Sequence, residues 1–152
     1  VKDGRIDFIV SDHSPCTPEL KHIDTGDIEK AWGGISALQF GLPLIWTQAK
    51  ERGLSLVDLA RLMSRETAKF AGLNTIKGQI SVGFHADFLV FDANKSYTIT
   101  NDMIKHRHNI TPYAGRRVTG QILHTYVRGH HAYQQDEFLD SPVGRPLLKG
   151  QF

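Results

Sequence analysis

The sequence lacks several features that would place it in a specialised class. Its single cysteine, Cys16, excludes an internal disulfide and is typical of a reducing compartment. The formal net charge is only +2 and no basic block stands out, so a nucleic-acid partner is not indicated. No apolar run approaches the roughly 20 residues of a membrane-spanning helix, and no signal-peptide pattern opens the chain. We therefore expect an intracellular protein, cytoplasmic or organellar, that binds neither nucleic acid nor a membrane.

The rest of the composition is ordinary for a globular protein, apart from the histidines. Hydrophobic residues make up 40% and charged residues 22% of 152 residues, enough for a sizeable core. Eight histidines invite a metal site, yet Cys-x-x-Cys and His-x-x-x-His pairs are absent. The chain starts at Val1 without a methionine and reaches a buried-type strand after five residues, which indicates a fragment of something longer.

The apolar run over residues 6–10 and the polar residues after it form the first segment with chemically capable side chains. The run is rich in β-branched residues and predicts a buried strand. Asp12 and His13 come directly after it, as catalytic groups do at the carboxyl ends of parallel barrel strands. The alternative is that Asp12 caps the next turn beside a solvated His13.

A long loop over residues 12–34 comes next, and its length indicates a functional or mobile segment. Gly33 and Gly34 close it. Paired glycines let a backbone come close to a ligand, although a simple turn before a helix is the alternative.

The next segments are predicted to be helical. Apolar residues recur at helical spacing over 35–46, where Pro43 is expected to bend or divide the helix. Ser55 is expected to cap a second helix. Ser64 is expected to cap a further short helix, and Gly72 is placed to stop it.

Beyond residue 74 the pattern alternates and predicts strands. Three are expected at 79–82, 86–92 and 96–100, and two more are expected near Gly120, ended by a turn at Gly129. The tail after residue 133 carries prolines and glycines and is predicted to be irregular. We divide the chain at these changes of pattern, into 1–74, 75–133 and 134–152.

Taken in order, these motifs resemble the cyclic amidohydrolases and, among them, the allantoinase family, whose members open the hydantoin ring of allantoin to allantoate. The motifs are SDHSPC at 11–16, WGGI at 32–35, KGQISVGFHADFLV at 77–90, PYAGRR at 112–117 and TYVRG at 125–129. The resemblance implies an α/β fold. Residues 1–74 would be the C-terminal part of a (β/α)8 hydrolase barrel, and residues 75–133 would be part of a small β-sandwich.

The resemblance also implies a divalent metal cofactor, dinuclear and most often zinc. The family's upstream His-x-His pair, its bridging lysine and two further histidine ligands have no counterpart here. His106 and His108 have the His-x-His spacing, but we interpret them as a surface loop. Asp12 matches the residue that contacts the metal and accepts the proton of the attacking water, then passes it to the leaving nitrogen.

Four other residues are substrate-binding candidates by the same resemblance. His13 would orient Asp12 or line the pocket, and Gly33 and Gly34 would face the substrate ring. Dihydroorotases carry a histidine where this chain has Cys16, which favours a neutral cyclic ureide over an acidic substrate.

Two alternatives to an allantoin-opening enzyme remain. One is a dihydropyrimidinase or hydantoinase acting on another ring. The other is a non-catalytic truncated form that persists by docking to other chains. The intact protein is expected to be a homo-oligomer. The histidines beyond residue 84 other than His106 and His108 are expected to be structural or solvated; they are His85, His124, His130 and His131.

Overall fold

The computed structural model describes residues 1–138 and 141–148, and it is an α/β structure with helices preceding an antiparallel sheet. The helices are α1 (Gly41–Glu51), α2 (Leu56–Ala60) and α3 (Glu66–Phe70), with a π-helical stretch, Arg61–Arg65, joining α2 to α3. Short 3-10 helices lie at Pro18–Lys21, Leu38–Phe40 and Asn101–Met103.

Helix α1 is not divided by its proline. Pro43 lies in the first turn of the helix, where backbone N–H groups have no intrahelical acceptor, so the missing N–H costs nothing. Pro43 therefore does not interrupt α1, and the predicted helical segment 35–46 is divided earlier, where the 3-10 turn Leu38–Phe40 meets α1. Trp46 and Ala49, three residues apart on one face, are buried against the neighbouring elements.

The second helical region begins as the sequence predicts. Ser55 and Asp58 form a reciprocal capping box: Asp58 N donates to Ser55 Oγ at 3.2 Å, and Ser55 N donates to the Asp58 carboxylate at 2.8 Å. Ser64 caps nothing, because the backbone stays helical through the π stretch and residues 56–70 form one continuous helix.

The end of this helix is also as predicted. Gly72 adopts a positive φ of 72°, and the last carbonyls are satisfied by Gly72 N to Lys69 O at 3.1 Å and Leu73 N to Ala68 O at 2.8 Å. This pair of bonds is a Schellman ending, which needs a residue that tolerates the left-handed conformation.

The buried strand predicted over residues 6–10 does not form. A strand needs a neighbour that supplies a ladder of hydrogen bonds, and no such neighbour runs beside it within the described residues. Instead Ile9 N donates to Leu62 O at 3.0 Å, and the rings of Phe8 and Phe70 lie 4.8 Å apart. The segment is therefore held against the 56–70 helix, with Val10 62% exposed.

The sheet has the order β1-β2-β3-β4, all antiparallel. Its strands are β1 (Phe88–Thr98), β2 (Arg117–Val127), β3 (His130–Gln134) and β4 (Glu137–Phe138). The strands predicted at 86–92 and 96–100 are one strand, irregular between Asp92 and Ser96, and the two predicted near Gly120 are also one strand.

Two further strand predictions fail at the margins of the sheet. The strand expected at 79–82 is absent, and Ile80 and Val82 are 87% and 102% exposed with no ladder partner. In the tail, β4 lies where irregular structure was expected, and 141–148 contains no helix or strand. Residues 139–140 and 149–152 of the predicted tail lie outside the described residues.

Gly120 explains how β2 passes the irregularity in β1 without a break. It lies between the pairs Asp92↔Gln121 and Ser96↔Thr119, with a φ of 104°. A Cβ at this position would overlap Phe91 Cζ and lie 2.8 Å from Trp46 Cδ1. Only glycine allows the strand to take this conformation and approach both rings.

Helix α1 packs on the sheet through polar as well as apolar contacts. Thr119 N donates to Thr47 Oγ1 at 2.8 Å, and the Trp46 indole N–H donates to Ala93 O at 2.9 Å. Two buried clusters surround these bonds. The first consists of Phe40, Ile99, Ile104 and Val118, and the second of Trp46, Ala49 and Leu59.

Large apolar side chains also remain at the surface of the described part of the chain. Among them are Leu20, Ile23, Ile28, Trp32, Leu38, Val57, Phe70, Ile80 and Val82. No helix within 1–138 and 141–148 has the length and apolar character that crossing a bilayer requires. The boundary proposed between residues 74 and 75 stays a prediction.

Candidate functional site

Asp12 ends the segment that lies along the 56–70 helix. Its φ is +45°, a left-handed conformation that is uncommon outside glycine but that Asp tolerates better than most residues. The side chain is exposed, and its carboxylate makes no hydrogen bond with the described residues. The alternative in which Asp12 caps the next turn therefore finds no supporting hydrogen bond, and the carboxylate is free to meet a ligand.

The Gly33–Gly34 segment lies directly alongside the residues that come after Asp12. His13 and Ile35 form a parallel bridge, and Ser14 N donates to Ile35 O at 2.9 Å. A Cβ on Gly34 would overlap Ser14 Oγ and lie 2.5 Å from Ser14 Cβ, whereas a Cβ on Gly33 would meet nothing within 4 Å. The fold thus brings together two motifs that are about twenty residues apart in sequence, and Gly34 is the residue that permits the approach.

His13 is held at one ring nitrogen by the start of the next helical segment. Its Nδ1 accepts hydrogen bonds from Ala37 N at 3.1 Å and from Leu38 N at 3.2 Å. A nitrogen that accepts two N–H groups carries no proton, so the ring in this arrangement is neutral with its proton on Nε2. His13, the residue that follows Asp12 in the sequence, therefore offers one N–H donor at Nε2.

His106 packs against this group, although it lies in the irregular segment that the sequence predicts to be a surface loop. Its ring lies edge-on to that of His13, with centroids 5.3 Å apart and an angle of 66° between the planes. Both of its ring nitrogens are shielded from solvent and have no hydrogen-bond partner within the described residues. Burial lowers the pKa of His106.

Two further residues support the site, and of these only Trp32 belongs to a motif found in the sequence. The Lys21 ammonium donates to Trp32 O at 2.6 Å and also to Gly34 O, and the Trp32 indole N–H donates to Ser14 O at 3.3 Å. These bonds fasten the long loop over the residues that come after Asp12. No motif would have found Lys21, because its partners are backbone carbonyls.

Cys16 is a free thiol, and it lies in the core with only 7% of its surface exposed. Its assignment as a substrate contact stays a prediction. Two surface cavities of about 320 and 110 Å³ lie elsewhere, against Arg128 and Arg145 and around Phe84.

The donor set does not complete a metal centre within the described part of the chain. No group of three or more His, Cys, Asp or Glu side chains there is arranged to hold an ion. Asp12 is a suitable ligand on its own, because an exposed carboxylate without a hydrogen-bond partner is available to a cation. A two-metal site would need its other ligands from residues beyond this set.

Two of the remaining histidines stabilise the sheet. His124 Nδ1 and His131 Nε2 lie 3.0 Å apart and share a hydrogen bond, and His131 stacks on Tyr126 with centroids 4.7 Å apart. His130 is exposed at the turn between β2 and β3. This agrees with the structural or solvated roles expected of them.

Comparison with known proteins finds the same relationship by sequence and by fold. Residues 1–132 match the amidohydrolase family. The chain is 45% identical over 147 residues to an allantoinase of Streptomyces avermitilis and 42% identical over 151 residues to an allantoinase of Escherichia coli. These alignments cover 97% and 98% of this chain but only 32% of each relative, so the chain spans about a third of their length.

Solved structures give a consistent picture. An L-hydantoinase (dihydropyrimidinase) from Arthrobacter aurescens superposes with a TM-score of 0.84 at 33% identity, over 90% of this chain and 31% of that one. A D-hydantoinase (dihydropyrimidinase) from Thermus sp. superposes with a TM-score of 0.80 at 28% identity, over 90% and 30% of the two chains.

Proposed function

The chain belongs to the amidohydrolase family, and from that membership we propose that it is the C-terminal part of a hydrolase that opens a cyclic amide. The ring we propose is the hydantoin of allantoin, because the allantoinases are 42% and 45% identical across nearly the whole of this chain. On this proposal residues 1–74 complete a (β/α)8 barrel, and residues 75–133 contribute to a β-sandwich.

The observation that carries the proposal is the meeting of the Asp12–Ser14 segment with Gly34 and Ile35. It brings the backbone of Gly34 and Ile35 against the residues that directly follow Asp12, whose carboxylate makes no hydrogen bond with the described residues. In ring opening, water attacks the amide carbonyl carbon and the carbon–nitrogen bond breaks. Asp12 takes the proton from that water and delivers it to the departing nitrogen, so the carboxylate is regenerated.

A divalent metal belongs to this proposal because the amidohydrolase family and its hydantoinase neighbours are generally metal dependent. We assign Asp12 as one ligand of a dinuclear, zinc-type centre whose other ligands come from outside the described residues. When bound, such a centre would supply polarisation of the amide carbonyl and a water that is a better nucleophile near neutral pH. The residues of this chain then bind the ring and move the proton.

The proposed substrate is a neutral cyclic ureide. Cys16 supplies no positive charge to a substrate carboxylate, and its burial makes it a small apolar neighbour instead. The second candidate is hydrolysis of another hydantoin or dihydropyrimidine ring, which the hydantoinase-like fold favours. A substrate panel of allantoin, hydantoin, dihydrouracil and dihydroorotate separates the two, and Cys16→His is expected not to confer dihydroorotate hydrolysis.

The exposed apolar side chains bear on the competing, non-catalytic interpretation. Ile80 and Val82 are almost wholly exposed, and so much apolar surface is unusual for a protein that acts alone. We propose that the remaining two-thirds of a full-length, homo-oligomeric enzyme covers this surface. The 152-residue chain by itself is then expected to release no allantoate in the presence of added divalent metal, and turnover by this chain alone would contradict the proposal.

The decisive variant is Asp12→Asn in the intact protein. Removing the proton acceptor is expected to lower kcat by at least about 100-fold while the melting temperature stays near that of the wild type. Asp24→Asn is the matched control, because Asp24 is an exposed residue of the same loop with no assigned role. Near-normal turnover by Asp12→Asn in an allantoate-release assay would refute the assignment.

A further inference from the structure

The segment between β1 and β2 is fastened to the residues that precede α1. The Gln39 side chain bridges to it twice: Gln39 Nε2 donates to Met103 O at 2.7 Å, and Lys105 N donates to Gln39 Oε1 at 2.8 Å. On the other side of the segment, Thr111 Oγ1 donates to Ser36 O at 2.7 Å, and both residues are buried. Residues 103–111 are therefore docked on the edge of the candidate site.

His106 lies between these two attachments. The bonds of Gln39 precede it in sequence and the bond of Thr111 comes after it, so its position is set from both sides. The neighbouring Arg107 is exposed, so the segment is not buried along its whole length. Two buried ring nitrogens without a partner are unfavourable, and such groups need an explanation when they occur in a folded protein.

The contact that the structure gives for the His106 ring is with the ring of His13. The two amide groups of Ala37 and Leu38 fix one nitrogen of the His13 ring, and they leave the rest of that ring to be held by packing. The ring of His106 supplies that packing at an edge-on angle of 66°. Aromatic pairs in this arrangement are favoured over face-to-face stacks and restrict how each ring can turn.

We infer that His106 is a positioning residue: it holds the ring of His13 in the orientation in which Nδ1 accepts from Ala37 N and Leu38 N and Nε2 carries the proton. This inference rests on the proposed function, because the residue after the proposed proton acceptor then offers a fixed N–H donor to the substrate. The inference also gives residues 103–111, which lie outside the site motifs 11–16 and 32–35, a role in orienting a site residue.

A double-mutant cycle in the intact protein tests the inference. His106→Ala is expected to lower kcat about tenfold with little change in KM. In a His13→Ala background the same change is expected to have no further effect, because a residue that acts through another loses its role when that partner is gone. Arg107→Ala, the exposed neighbour, is the control and is expected to leave kcat unchanged. Additive losses in the two backgrounds would overturn the inference.

A second variant guards against a general loss of folding. His106→Gln keeps a side chain of similar length without the ring, and it is expected to reproduce the loss in kcat seen for His106→Ala. Wild-type kcat in His106→Gln would overturn the inference. Rates are taken per folded, metal-loaded site, so a loss of folded protein does not imitate the effect.

A readout independent of turnover distinguishes this inference from the proposed function. In intact protein labelled with 15N-histidine, the His13 ring is expected to show an unprotonated Nδ1 and a protonated Nε2. In His106→Ala the same tautomer is expected, because Ala37 N and Leu38 N still donate to Nδ1, but the ring signals of His13 are expected to broaden as the ring loses its packing partner. If the wild type opens no cyclic amide but the ring signals change in this way, the proposed function fails and the positioning role stands. Unchanged His13 ring signals in His106→Ala would overturn the positioning role even if the enzyme is active.

Discussion

Replacing Gly120 by alanine tests whether the irregularity shared by β1 and β2 depends on the missing side chain. Two separate penalties are expected. The φ of 104° is unfavourable for an L-residue, which costs about 1–2 kcal/mol. The new methyl group would also overlap Phe91 Cζ and crowd Trp46 Cδ1, and forcing extra volume into a packed core costs a further 1–3 kcal/mol or so.

The chain contains a control that isolates the first penalty. Gly115 has a φ of 82°, and a Cβ there would meet nothing within 4 Å. The loss in the free energy of unfolding for Gly115→Ala is therefore expected to come only from the backbone conformation. We expect Gly120→Ala to lower the free energy of unfolding by about 2 kcal/mol more than Gly115→Ala does, which corresponds to a difference in melting temperature of roughly 4–8 °C.

The assay is thermal unfolding followed by tryptophan fluorescence, since Trp46 is one of the two rings that the methyl group would displace. The comparison is made at equal and low protein concentration, so that association does not shift the curves. Equal losses for the two variants would show that Phe91 and Trp46 move aside freely. The close packing around Gly120 would then not explain why β2 runs unbroken.

Two other predictions concern the loop over the site and the pH dependence of stability. Gly34→Ala is expected to reduce activity of the intact protein at least about tenfold, because its Cβ would overlap Ser14 beside the site, whereas Gly33→Ala has open space and is expected to be tolerated in the same allantoate-release assay. Burial works to raise the pKa of Asp87, but its hydrogen bonds with the Lys77 ammonium and a backbone N–H outweigh it, so the folded-state pKa lies below the ordinary value of 3.8. The stabilisation is therefore present above pH 3.8 and lost as the pH falls through the folded-state value. Melting temperatures of wild type and Asp87→Asn measured from about pH 6 to pH 2 are expected to converge at the acid end, and parallel curves would contradict this.

The features that sequence reasoning located correctly are those set by local chemistry. Ser55 caps its helix and Gly72 ends it, because a side-chain oxygen and a glycine at those offsets satisfy backbone groups only a few residues away. The turn at Gly129 arises in the same way, from a φ of 81° between β2 and β3.

The failures occur where structure depends on a distant partner. Residues 6–10 and 79–82 have the composition of strands, but strand formation needs a neighbour that composition does not identify. The two strands expected near Gly120 are a single strand, because the positive φ of Gly120 lets β2 continue past the irregularity in β1.

The candidate site shows the same division. The Asp12 motif and the glycine pair were visible in the sequence, and the fold places them side by side. The approach of His106 to His13 was not visible, because it depends on how the side chain of Gln39 fastens a segment more than sixty residues further along the chain. Pairings of this kind arise from the folded topology and have no signature in residue spacing.

The π-helical stretch Arg61–Arg65 has a consequence for how the site is aimed. A turn of this type holds one residue more than an α-helical turn. If the same residues were wound as an ordinary α-helix, the residues beyond them would rotate by about 100°. Phe70 would leave Phe8, and Leu62 O would no longer face Ile9 N. The extra residue in this turn thus determines which way Phe70 and Leu62 face, and through their contacts the path of the segment that ends at Asp12.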